Sequence, residues 1–175
     1  ERLIAGLVRQ MATASPGDPP RVVQTHISTV ILSGEQAWKI KRPVRLPFLD
    51  FSTLARRHHF CLEELRINRR TAPQLYLEVL PITGSVDAPV IGGTGPAVEY
   101  VLRMRRFAAD DEFRVLARTA RLGASQVQEL AHYLARFHLG LAPVPAPAPG
   151  AVAGKDAWQW TAESLDEIAG HPLRP

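Results

Sequence analysis

Apolar residues recur along this chain with two different periods, and the changes of period mark its elements. Leu3, Ile4, Leu7, Val8 and Met11 fall at helical spacing and predict a short helix over Glu1 to Met11. Thr13 to Pro20, rich in proline, cannot continue it and reads as a loop. Val22 to Leu32 is β-branched and aliphatic, interrupted at Thr25-His26-Ile27-Ser28. A turn signal, Ser33-Gly34-Glu35, then leads into Ala37-Trp38-Lys39-Ile40-Lys41, which ends at Arg42-Pro43. The pattern predicts antiparallel strands in a meander. Alternation in the last of them sets Trp38 and Ile40 on one face and Lys39 and Lys41 on the other.

Pro43 to Asp50 reads as a loop, with Asp50 or Ser52 able to cap the next helix. That helix, Leu54 to Arg70, has Leu54, Phe60, Cys61, Leu62 and Leu65 as its apolar stripe, and Pro73 stops it. Leu75 to Ile82 and Val98 to Met104 predict strands on either side of a Gly/Pro-rich loop, Thr83 to Pro96. Asp110 to Arg121 and Ser125 to Leu139 predict two further helices. Residues 141–154, which include the run Pro143 to Pro149, form a stiff, extended linker. The remaining residues, with Trp158 and Trp160, are too few to build a core of their own.

Composition narrows the class. The chain has 175 residues, 46% hydrophobic and 22% charged, which is ordinary for a soluble globular domain of one or two lobes, burying roughly 70% of its unfolded surface. A single cysteine, Cys61, excludes a disulfide-stapled scaffold. No apolar run approaches the roughly 20 residues that span a bilayer, and no charged-then-apolar leader comes after Glu1. The cytoplasm is therefore the expected compartment, and the non-Met start raises the expectation of a piece of something longer.

The net charge of +4 is local. From Lys39 to Arg70 nine basic residues face three acids, a surplus of six, so the rest of the chain nets −2. Such a segment suits a phosphorylated ligand or nucleic acid, and equally a solvated helix face formed by Arg56, Arg57, Arg66, Arg69 and Arg70.

The order of elements is strands, a strand with a lysine pair on one face, a long helix, two strands, a short connector and helices. A protein kinase amino-terminal lobe has that layout: a lysine of the third strand contacts the nucleotide phosphates and pairs with a glutamate of the next helix. Ala37-Trp38-Lys39 supplies the small-x-lysine pattern, with Lys41 as the rival beside Pro43. Glu64 borders the apolar stripe, whereas Glu63 has Arg66 three residues on as a helix-surface partner. Lys39 and Glu64 are preferred, and both alternatives stay open. Cys61, on the stripe, reads as packing rather than as a nucleophile.

Several segments, in order, resemble one family. Thr25-His26-Ile27-Ser28, Trp38 to Val44, Phe48-Leu49-Asp50-Phe51, Glu63 to Arg70 and Arg103-Met104-Arg105-Arg106-Phe107 look like the amino-terminal part of the aminoglycoside phosphotransferase-like predicted kinases. The resemblance covers roughly Val22 to His138. It implies an α+β fold: a protein-kinase-like amino-terminal lobe over residues 1–106, made of an antiparallel sheet and one long helix, then the first helices of a truncated helical lobe over 107–175. It implies ATP and Mg²⁺ as cofactors and phosphoryl transfer to a small-molecule hydroxyl, and a carboxy-terminal P-loop domain in the longer protein. Residue by residue, Lys39 would bind the phosphates and Glu64 would position it. Met104 would line the adenine pocket, and the backbone of Arg105, Arg106 and Phe107 would hydrogen-bond the adenine edge. The turn at His26, Ile27 and Ser28 would lie over the phosphates, although it lacks the usual glycines.

A His-Gly-Asp-type catalytic loop and a later Mg²⁺-binding aspartate are absent: Arg136-Phe137-His138-Leu139-Gly140 has no subsequent aspartate, and Asp156 and Asp166 lack the flanking pattern. No catalytic residue is assigned, no turnover is expected of this chain alone, and the phosphoryl acceptor is unknown. Adjacent histidines, His58 and His59, point about 100° apart on a helix, and His132 and His138 lack paired spacing, so no metal site is expected. Two readings from other classes remain. One is a nucleic-acid-binding module on the segment 39–70, disfavoured because few aromatics interleave with its basic residues. The other is a non-catalytic, kinase-like regulatory lobe.

Overall fold

Thirteen residues from Arg2 to Ala14 form the first helix, α1, whose apolar edge dictates the rest of the packing. Leu7 is buried against Ile31, Ile40, Ile82 and Val101, with Leu3, Ile4, Val8 and Met11 at the margin. The computed structural model of the chain describes residues 1–143 together with Gln159, Ala162 and Glu163. The end of the proline run, Trp158, Trp160, Asp156 and Asp166 lie outside the described residues. The described residues contain no helix long and apolar enough to cross a membrane.

The protein is a mixed α and β structure built on a six-stranded antiparallel sheet. In chain order the strands are β1 (Arg21–Gln24), β2 (Ser28–Ser33), β3 (Gln36–Lys41), the short β4 (Arg45–Leu46) and β5 (Leu49–Asp50), β6 (Tyr76–Gly84), β7 (Pro89–Ile91) and β8 (Glu99–Arg105). The large sheet runs β1-β2-β3-β8-β6-β7, while β4 and β5 pair as a separate hairpin. Helix α2 (Leu54–Asn68) packs on β8 and β6. A single 3₁₀ turn (Ala109–Asp111), α3 (Phe113–Arg118) and α4 (Ala124–Leu139) come after the sheet.

Several expectations are corrected. The segment Pro43 to Asp50 is not a plain loop, because Leu46 pairs with Leu49 around a two-residue turn. The Gly/Pro-rich loop contains β7, and the expected helix from Asp110 is split into the 3₁₀ turn and α3. The cap of α2 is neither Asp50 nor Ser52 but Thr53, whose hydroxyl accepts from the Arg56 N–H. Asp50 instead accepts from the backbone N–H and the hydroxyl of Ser52. On α2 itself Leu62 is exposed, and Arg57, expected on a wet face, is buried.

By backbone proximity the chain forms two units, Glu1–Ala131 and His132–Pro175. The expected change of lobe at Arg106 falls inside the first. The sheet and helices α1 to α3 all belong to that unit.

Candidate functional site

Pairing of β2 with β3 places Val30 opposite Lys39 and Ser28 opposite Lys41, so the alternation of both strands brings these four side chains to one face. That is the face toward α2. Glu64 meets both lysines there: Lys39 Nζ donates to Oε1 at 2.6 Å and Lys41 Nζ donates to Oε2 at 2.7 Å. Neither lysine excludes the other, because the carboxylate has two oxygens and uses one for each. Glu63 is turned outward and holds Arg66.

The two lysines differ in surroundings. The Lys39 side chain keeps 28% exposure and helps to line a cavity, whereas that of Lys41 keeps 7%, with its Nζ 4.7 Å from the centre of the Phe51 ring. Burial alone would raise the Glu64 pKa, but the hydrogen bonds and charges of Lys39 and Lys41 outweigh it and hold the carboxyl below its ordinary value.

The cavity encloses about 1010 Å³. Its floor is the β2–β3 face, with Val30, Leu32, Ala37 and Lys39. Val23 and the turn Thr25 to Ser28 form one side, Val44, Leu46 and Phe48 of the β4–β5 hairpin another, and Tyr76, Met104 and Phe107 complete it. Among the described residues, most of the wall is apolar, none of it is acidic, and Lys39 is its only strongly cationic member.

Among the expected residues, Lys39, Met104, Phe107, His26 and Ser28 thus share one cavity, with Glu64 behind Lys39. Arg105 and Arg106 are placed otherwise. The Arg105 N–H donates to the Leu75 carbonyl at 2.8 Å and the Arg106 N–H to the Glu35 carbonyl at 2.7 Å. Both donors are consumed by the fold, and both residues border a separate recess beside Gly34, Glu35 and Ala108. Of the three expected hinge residues, only Phe107 lines the cavity.

The turn over the cavity holds its shape without glycine. Thr25 Oγ1 accepts from the Ser28 N–H at 3.0 Å and donates to the Ser28 carbonyl at 3.1 Å, while Arg42 Nη1 donates to the Thr25 carbonyl at 2.9 Å. His26 is exposed. Ser28 is 1% exposed and lines the cavity, yet its Oγ has no hydrogen-bond partner among the described residues. A buried hydroxyl without a partner is costly unless something else completes it.

Tyr76 and the β4–β5 hairpin are site components that the sequence pattern did not reveal. Burial and the nearby Glu64 charge push the Tyr76 phenol up, with Lys39 opposing. Tyr76 stands at the start of a strand with no local pattern to single it out.

The basic segment is partly neutralised within the fold, by four carboxylates against nine cations. Lys39 and Lys41 are taken by Glu64, Arg56 by Asp50, Arg57 by Glu99 and Arg66 by Glu63. Arg69 donates to the carbonyl oxygens of Tyr76 and Leu77. Among the described residues no three His, Cys, Asp or Glu side chains come together as metal ligands. His58 instead stacks on Tyr100 with ring centres 3.8 Å apart.

No family model matches the chain, and no solved structure matches it. Over 117 residues it is 31% identical to Mb2027c of Mycobacterium bovis and to MT2060 and Rv2004c of Mycobacterium tuberculosis, each described as an uncharacterized protein. The match takes in 67% of this chain but 22% of each relative. The chain therefore spans only about a fifth of the length of the curated relatives it matches.

Proposed function

We propose that this chain is the nucleotide-binding lobe of an ATP-dependent small-molecule phosphotransferase, of protein-kinase-like architecture and similar to the aminoglycoside phosphotransferase-like kinases. The observation that carries the reading is Lys39, paired at 2.6 Å with Glu64 of the next helix while standing in the wall of a large apolar cavity. A flexible ammonium fixed by a helix carboxylate at the edge of an apolar cleft suits a ligand with a flat apolar end and an anionic end.

The rest of the wall fits such a ligand. Met104 and Phe107 offer an apolar setting for an adenine, and Phe107 is the expected hinge residue in position to meet its edge. The unpartnered Ser28 hydroxyl, on the face shared with Lys39, suits a phosphate oxygen. Mg²⁺, when bound with the nucleotide, would supply charge neutralisation at the phosphates. No described cluster of acids offers to hold the ion, so its ligands would come from elsewhere in the protein or from the nucleotide. Nucleic acid is the less favoured ligand, because Lys41 and Arg57 of the basic segment are turned inward to carboxylates rather than presented to a phosphate backbone.

Isothermal titration of Mg·ATP into the full chain tests the reading. Lys39→Ala is expected to weaken binding by at least roughly tenfold, as for loss of a charge-assisted hydrogen bond. Equal binding by the two proteins rejects Lys39 as the phosphate ligand, and no binding by either rejects the nucleotide site. Detectable transfer to a hydroxyl acceptor by the longer protein would separate an enzyme from a regulatory lobe.

A further inference from the structure

We infer that Thr25 and Arg42 are positioning residues that set the turn between β1 and β2 as a receptor for the phosphate end of the nucleotide. The inference rests on the nucleotide reading above and names the two side chains that take the place of the missing glycines.

His26 and Ile27 form the tip of the turn. The Thr25 N–H donates to the Ser28 carbonyl at 2.8 Å and closes the hairpin on one side. Such a two-residue connection usually relies on positive φ angles, which glycine and asparagine adopt readily. None of residues 25–28 has one. The Thr25 hydroxyl closes the other side instead, its oxygen accepting from the Ser28 N–H at 3.0 Å where the Thr25 carbonyl would ordinarily accept. That leaves the Thr25 carbonyl for Arg42. Arg42 Nη1 donates to it at 2.9 Å and to the His26 carbonyl at 3.4 Å, and the Arg42 N–H donates to the Ile27 carbonyl at 2.9 Å.

Three consecutive carbonyls are thus drawn to one residue. In a trans peptide the N–H points opposite to the C=O, and no peptide bond here is cis. The N–H groups of His26 and Ile27 therefore point away from Arg42, and neither has a hydrogen-bond partner among the described residues. Thr25 to Ser28 line the cavity and Arg42 does not. The same cavity holds the unpartnered Ser28 hydroxyl and Lys39. A phosphate entering there meets donors, while the carbonyl oxygens that would repel it are held back by Arg42. Arg42 has no carboxylate partner among the described residues, and its guanidinium is engaged by these carbonyls.

Titration of Mg·ATP and of adenosine into the full chain provides the test, because the two ligands share base and ribose and differ in the phosphates. A merely structural role would weaken both. Arg42→Met and Thr25→Val are each expected to weaken Mg·ATP binding by roughly fivefold, as for loss of a hydrogen bond, and to leave adenosine binding unchanged. Thr25→Ser, which keeps the hydroxyl, is expected to bind both ligands as the wild type does. The double variant Thr25→Val/Arg42→Met is expected to lose no more than roughly the same fivefold, since both changes release one turn.

Equal loss for both ligands, or no loss of Mg·ATP affinity, would overturn the inference. Losses that multiply in the double variant would overturn it as well, since Arg42 would then act on the phosphates by its charge alone. Thr25→Val removes no charge and keeps the side-chain shape, so it carries the comparison if Arg42→Met does not fold. A wild type that binds Mg·ATP no better than adenosine rejects the turn as a phosphate receptor while the nucleotide reading stands. Binding of neither ligand rejects the nucleotide reading itself, and the inference falls with it.

Discussion

Arg57 and Glu99 lie buried side by side, 42 residues apart in sequence, with the guanidinium Nε 3.0 Å and 2.8 Å from the two carboxylate oxygens. Arg57 Nη1 also donates to the Phe51 and Ser52 carbonyls. One side chain thus ties the start of α2 to the chain entering it and to β8. Since α2 carries Glu64 and β8 adjoins the lysine strand β3, this pair helps to set the spacing of the lysine–glutamate cluster.

Removing one member leaves the other charged and buried. Arg57→Leu is expected to cost about 3–5 kcal/mol, read as a fall in the midpoint of urea unfolding. The double variant Arg57→Leu/Glu99→Leu should recover part of that loss, because no unpaired charge remains. A single variant within about 0.5 kcal/mol of wild type would mean that the pair is open to water.

Glu64 predicts the shape of the acid limb. Its folded pKa is held below the ordinary 4.5. A depressed carboxylate stabilises the fold above its unfolded pKa, and that contribution disappears as pH falls through the folded value. Glu64→Gln should therefore be less stable than wild type at pH 7, with the gap narrowing progressively below about pH 4.5. Unfolding curves at several pH values check this. A gap that stays constant down to pH 2 would show that Glu64 is not shifted.

Cys61 predicts behaviour at the opposite end of the pH scale. The thiol is 1% exposed, and burial, the leading cause, pushes its pKa up from 9.0 to about 11. Lys41 and Lys39 pull it down, but less strongly. The stability linked to the neutral thiol is complete below pH 9 and is lost as pH rises through the folded value. Iodoacetamide at pH 8 should leave Cys61 unmodified in the native protein and alkylate it once urea unfolds the chain. Rapid native labelling would contradict the burial.

The sequence made much of this legible where the signal was local. Alternation placed Lys39 and Lys41 on one face, and helical spacing set Glu64 toward the sheet and Glu63 toward Arg66. Assigning one lysine to one glutamate was the limiting assumption, since a carboxylate accepts on two oxygens. Non-local partners left no trace: nothing near Arg57 announces Glu99, so an arginine on a basic helix read as solvated. The β4–β5 hairpin escaped because its turn, Pro47-Phe48, lacks the glycine or asparagine that usually marks a two-residue connection. Likewise β7 has three residues and carries no usable period.

That hairpin yields the prediction that best separates stability from function. Phe48 sits at its tip with 83% exposure, yet it lines the cavity together with Val44 and Leu46. The Phe51 N–H donates to the Val44 carbonyl at 2.8 Å, and Asp50 holds Arg45 and Arg56, so the base of the hairpin is fixed whatever occupies its tip. An aromatic ring left in water contributes little to the fold, and its burial by a ligand would contribute to binding. Phe48→Ser is therefore expected to leave stability within about 0.5 kcal/mol and to weaken Mg·ATP binding by roughly threefold to tenfold. Leu46→Ala should weaken binding in the same direction. Thermal melting and titration on the same preparations read the two effects separately. Unchanged binding in Phe48→Ser would place the ligand away from the hairpin, toward Met104 and Phe107.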